Sequence, residues 1–127
     1  MSTIEPIIKI ARTAGKLTSI AVVMPVKSEW SFDGYLKIHI PLFDSISWAK
    51  DETGIEKAVE TDIILFCKVA EKHGRGIEKE LQSLGWVIVD ESSTELVLKY
   101  NINKADHARR QILRTGQNHI NKRLQLT

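Results

Sequence analysis

The sequence predicts an α+β fold: an antiparallel sheet in the order β-β-β-α-α-β-β, with helices on one face and a helical tail. Three observations predict it. Residues 35–40 alternate polar and apolar side chains, so Leu36, Ile38 and Ile40 share one face, the period-two signature of a half-buried strand. Residues 55–70 instead place Ile55, Val59, Ile63, Phe66 and Ala70 at helical steps, one broad core stripe. Strand-like runs stand on both sides of that helical block, an order that builds a sheet with segregated helices.

Taken in order, Glu5-Pro6 followed by Ile7, Ile8, Ile10, Ala11 and Ala14 fits a short helix with proline in its first turn, or a strand through residues 7–10. Residues 17–26 are rich in strand formers (Ile20, Val22, Val23, Val26) and nearly continuous in apolar character. That suggests a strand covered on both faces, or one at the centre of a sheet, with Pro25 marking its end. Residues 27–34 are polar and contain Gly34, as a hairpin connection would. Pro41 ends the strand at 35–40. Residues 45–49 repeat the alternation, with Ile46 and Trp48 expected to face inward, completing a three-stranded meander.

Asp51-Glu52-Thr53 places acids and a hydroxyl at a helix entrance, where free N–H groups and the dipole favour them. The helix runs to His73-Gly74. Its apolar centre, Ile63 to Cys67, would pass for a strand, but the flanking Glu, Lys and Ala residues are helix formers. A second helix over residues 77–84 stops at Gly85, the usual C-terminal glycine position. Residues 86–89 and 95–100 make a strand pair. Beyond Asn101, the residues Ala105, Ala108, Ile112, Gly116, Ile120 and Leu124 recur at three- and four-residue steps, which predicts an amphipathic basic helix. The division is therefore a body over 1–100 and a tail over 101–127.

A chain of 127 residues with 43% apolar and 27% charged side chains suits one globular domain with a real core. The longest uncharged stretch has ten residues, against the roughly 20 of a membrane helix. The N-terminus lacks a basic segment leading into an apolar run. One cysteine excludes an internal disulfide framework. These features predict a cytoplasmic protein with no membrane partner.

Catalytic and metal chemistry need particular groups brought together, and the sequence offers few. Cys67 falls in the apolar helix stripe, where a thiol is an inert small hydrophobe. The histidines His39, His73, His107 and His119 show no paired ligand spacing. His39 suits a strand surface and His73 a helix end. Gly74-Arg75-Gly76 lacks the longer glycine spacing and the Lys-Ser/Thr of a phosphate loop. Asp51-Glu52 could serve acid–base work or hold magnesium, but as helix-start acids they suit caps. No cofactor, no metal site and no enzymatic activity are expected; a binding role is.

Charge distribution points the same way. Residues 28–66 hold eight acids against Lys37, Lys50 and Lys57, a net −5. Residues 101–127 carry Lys104, Arg109, Arg110, Arg114, Lys122 and Arg123 against Asp106, a net +5. Such polarity concerns partners and solubility more than fold. A helix bearing Arg109, Arg110, Arg114, Lys122 and Arg123 would meet nucleic-acid phosphates or an acidic protein face, or else be a solvated surface. The tail has no aromatic residue for stacking on single strands.

Gly34-Tyr35-Leu36-Lys37-Ile38-His39-Ile40-Pro41, then Asp51-Glu52-Thr53 and Ile55-Glu56-Lys57-Ala58-Val59, resemble the HicB antitoxin family, with its Gly-Tyr strand ending in proline, its turn and its helix. The continuation from Cys67-Lys68-Val69-Ala70 through Gly85-Trp86 is similar to longer members, so the resemblance spans about residues 17–100. Phe43-Asp44-Ser45-Ile46 stands where the family has Pro-Gly-Cys, and 27 residues after Tyr100 are few for its usual two-helix operator-binding domain. The resemblance implies a partial ribonuclease H-like sheet that cleaves no RNA and masks a small basic RNA-cleaving toxin of the HicA type. Glu29, Asp33, Asp51, Glu52, Glu56 and Glu60 would then form the acidic docking face and speed the encounter. The tail would dimerise the chain, or build a higher oligomer, or touch DNA. The alternative is a nucleic-acid-binding module of other ancestry that uses the basic tail.

Overall fold

The computed structural model describes residues 5–92, 94–101 and 118–126. Its strands are β1 (Ile7–Thr13), β2 (Lys16–Trp30), β3 (Leu36–Ile40), β4 (Ser45–Ala49), β5 (Trp86–Glu91), β6 (Glu95–Tyr100) and β7 (Asn118–Gln125). Two helices, α1 (Ile55–His73) and α2 (Ile77–Ser83), lie between β4 and β5. The sheet order is β4-β3-β2-β1-β6-β5, with β7 beside β2, and every pairing is antiparallel. The α+β class, the central meander of β2, β3 and β4, and the helix pair follow the sequence reading.

Register explains the core. Ile8 stands opposite Val22 and Leu98, Ile10 opposite Ile20, and Ile20 opposite Leu124, so these side chains share one face. All are buried with Val59, Ile63, Cys67 and Ala70 of α1 and Ile77 and Leu81 of α2. The helices cover that face, each buried aliphatic side chain contributing roughly 1.5–3 kcal/mol relative to exposure. At the α2 end, Phe43, Trp86 and Tyr100 meet edge to face, and Trp86 Nε1 donates to the Leu42 carbonyl at 2.9 Å. Gly85, at φ +110°, closes α2, and a Cβ there would stand 3.0 Å from the Tyr100 ring.

Four expectations are corrected or resolved. The N-terminal segment is a strand; Ala14 and Gly15, both at positive φ, form the tight two-residue turn that a right-twisted hairpin requires. Pro25 does not end its strand, which continues to Trp30. The β1 ladder already stops at Val23, so on that edge no hydrogen bond is asked of the proline nitrogen. Ile46 and Trp48 face outward, each about 50% exposed. The inward positions are Ser45, Ser47 and Ala49, small enough for the α1 entrance to approach: a Cβ on Gly54 would sit 3.3 Å from that of Ala49.

The fourth correction is the largest. Residues 118–125 are a strand and not the end of a tail helix. β7 pairs with Ser19 to Val26 of β2. Since β1 also pairs with residues 19–23, the two occupy opposite edges of β2. Ile120 and Leu124 are buried in the common core. Their four-residue spacing is common to both periods, because it is one helical turn and also two strand repeats. The expected tail residues Arg109, Arg110 and Arg114 lie outside the described residues.

Candidate functional site

At one end of the sheet the β2–β3 hairpin, the entrance of α1 and the start of β7 enclose a groove of about 620 Å³. Its apolar floor is Val26, Leu36, Ile55, Val59 and Ile120; its polar wall is Ser28, Glu52, Glu56, His119 and Asn121, and Trp30 stands at its rim. Alternation puts these groups together. Val26, Ser28 and Trp30 fall on the helix side of β2, because Ser28 and Trp30 stand opposite the buried Ile38 and Leu36.

The hairpin beyond it carries three exposed aromatic rings. Trp30 is 56% exposed, Tyr35 46%, and Phe32 at the tip is wholly exposed. The turn is firmly held. Ser31 N donates to the Tyr35 carbonyl at 2.9 Å and Gly34 N to the Ser31 carbonyl at 3.1 Å. Ser31 Oγ donates to the Asp33 carboxylate, whose pKa this bond and the Tyr35 N–H depress. An ordered turn that presents an aromatic ring to solvent suits contact with another molecule.

The six acids expected to form one face are divided. Glu52 and Glu56 line the groove. Glu60 lies one helical turn on from Glu56. Lys122, on the helix side of β7 opposite Val22, reaches Glu56 at 2.5 Å and Glu60 at 3.7 Å; the Glu56 bond raises its pKa. Asp51 is turned inward to the chain: Oδ1 accepts from Thr53 N at 3.0 Å and Thr53 Oγ1 at 2.5 Å, which holds its carboxyl below the usual range. Asp33 belongs to the hairpin turn. Glu29 is on the opposite face of the sheet, 2.9 Å from His39.

The basic set is divided likewise. Lys122 is joined to α1, so the sequence's separation of a negative body from a positive tail does not hold there. Arg123, opposite Ala21, is exposed on the far face with Lys9, which also stands opposite Ala21.

Sequence reasoning missed Arg12. Its guanidinium bonds Glu78 at 2.6 and 2.8 Å and Glu71 at 2.7 and 2.9 Å, two forked carboxylate pairs of the strong kind. Both carboxyls are depressed by those bonds. Glu71 Oε2 also accepts from Ile77 N at 2.9 Å, so the cluster ties the β1–β2 hairpin to the α1–α2 joint. Nothing in the sequence marks Arg12 apart from any other strand base. Cys67 is buried, and burial pushes its thiol up to about 12. Among the described residues no group of three or more His, Cys, Asp or Glu side chains converges to hold a metal ion, and no helix is long and apolar enough to cross a membrane.

Comparison with protein-family models, with curated proteins and with solved structures found no match to this chain.

Proposed function

We propose that the chain is an antitoxin-type binding protein, similar to the HicB family, that docks a small basic RNA-cleaving protein at the hairpin groove. The observation that carries this reading is the joining of exposed Trp30 and Phe32 to a groove walled by Glu52 and Glu56. Aromatic anchors give a docked surface most of its affinity. Carboxylates at the rim speed the approach of a basic partner and select against acidic ones. The acidic site is therefore smaller than the sequence implied, centred on Glu52, because Glu56 is already paired with Lys122.

Co-expression with the reading frame beside this one tests it. The neighbour is expected to be small and basic, to co-purify, and to have its RNA cleavage suppressed. Exchanging Trp30 and Phe32 for alanine is expected to weaken the complex by at least ~100-fold, because anchor residues of this kind are each worth upwards of 2 kcal/mol. Glu52→Lys should mainly slow association and remove part of its salt dependence. A neighbour that is not basic, or that elutes apart from this chain, ends the reading.

A nucleic-acid-binding role is favoured by one specific observation. Lys9 and Arg123 share the sheet face opposite the helices, where a phosphate backbone would meet them. It predicts duplex binding that weakens steeply with added salt and that Lys9→Ala with Arg123→Ala reduces; binding indifferent to salt dismisses it.

A further inference from the structure

We infer that two copies of this chain pair edge to edge through β4, forming one sheet continuous across a two-fold axis at Ser47. Among the described residues β4 pairs with β3 alone and ends the sheet. Its five residues, Ser-Ile-Ser-Trp-Ala, include no charge and no proline, the devices by which sheet edges ordinarily repel each other. The strand is also self-complementary. An antiparallel pair centred on Ser47 sets Ile46 against Trp48 of the second copy, twice, on the outer face where both are half exposed. It sets Ser45 against Ala49 on the inner face. A slip of one residue would turn the outer face of one copy against the inner face of the other, and a slip of two would lose two of the five pairs.

Charge and helix follow the same symmetry. Beside β4, α1 runs in the opposite direction, so that a groove lined by Trp48, Lys50, Lys57 and Ala58 continues past Thr61 to Asp62 and Leu65, and from there to Asp44, Ser45 and Val69. One end therefore holds Lys50 and Lys57, and the other Asp44 and Asp62, with His73 beside them and Glu80 paired to Arg75. Asp51, at the basic end, has its carboxylate committed to Thr53. A two-fold axis through the middle brings the basic end of each copy to the acidic end of the other. Leu65 and Val69, 58% and 48% exposed on α1, give the second copy an apolar flank to cover. Apolar and charged groups both match their own two-fold image, which favours a second copy over an unlike partner.

Sedimentation of the whole chain over a range of concentrations is expected to show a reversible monomer–dimer equilibrium. Lysine at both Ile46 and Trp48 should abolish the dimer while leaving the circular dichroism and thermal midpoint of the monomer in place. A cysteine probe does not depend on those substitutions. Partners in an antiparallel pair have Cα atoms about 4.5–5.5 Å apart, within disulfide reach. Ser47→Cys should thus oxidise to a linked dimer, whereas Lys68→Cys, on another side of α1, should not; buried Cys67 stays out of the reaction. A wild-type chain that is monomeric throughout, a dimer that survives both lysines, or Ser47→Cys linking no faster than Lys68→Cys would each overturn the inference.

Discussion

Arg12 shows how much a single side chain holds in this molecule. About three-quarters shielded, it carries four charge-assisted bonds to two carboxylates 59 and 66 residues away. Arg12→Ala leaves Glu71 and Glu78 facing each other without the cation, and is expected to cost roughly 1.5–3 kcal/mol, the range for hydrogen bonds to charged groups. The sign of its pH dependence follows from the depressed carboxyls. Stability from them is fully present above the ordinary carboxylate pKa of 4.5 and is lost as pH falls through the lower folded values. Urea unfolding of wild type and Arg12→Ala should therefore give midpoints that are well separated at neutral pH and converge in acid. A gap unchanged at low pH would refute the assignment. Arg12 was invisible in the sequence because a bonding partner 60 residues away leaves no local pattern.

Among the elements, β7 changes the picture most. Helical and strand readings of residues 118–125 agree on Ile120 and Leu124 and differ over Lys122, which a helix stripe leaves aside and a strand puts on the core side. The long stem of Lys122 crosses apolar surface to bring its ammonium to Glu56 and Glu60, as lysine does at the margin of a core. Leu124→Ala is expected to cost about 2–4 kcal/mol by opening a cavity, and Arg123→Ala under ~0.5 kcal/mol as a surface change. Thermal unfolding of the two variants separates a strand built into the core from a detached helix, which would make both nearly silent. β4 teaches the complementary lesson. Its alternation was legible, but its direction was not: Trp48 is the larger hydrophobe, yet α1 lies so close that only Ser45, Ser47 and Ala49 fit beneath it.

At the scale of the whole molecule, charge is arranged differently from its order along the chain. The acidic middle and the basic end are brought together at Lys122, Glu56 and Glu60, leaving Glu52 and the aromatic hairpin as the feature directed outward. Two surfaces then stand apart, the hairpin groove proposed for an unlike partner and the β4 edge proposed for a like one. Their independence is testable in one set of proteins. Ile46→Lys with Trp48→Lys should abolish self-association and spare partner binding, while alanine at Trp30 and Phe32 should do the reverse.

Local patterns along the chain were enough for the α+β class, the meander, the extent of α1, the stop at Gly85 and the burial of Cys67. Each depends on residues within one or two turns or strand repeats of each other, where periodicity and end chemistry act. Packing was needed to place the last strand against β2, to turn Ile46 and Trp48 outward, and to pair Glu56 and Glu60 with Lys122. Those outcomes turn on distant segments competing for the same edge, the same space or the same cation, and such competition is settled by packing in three dimensions.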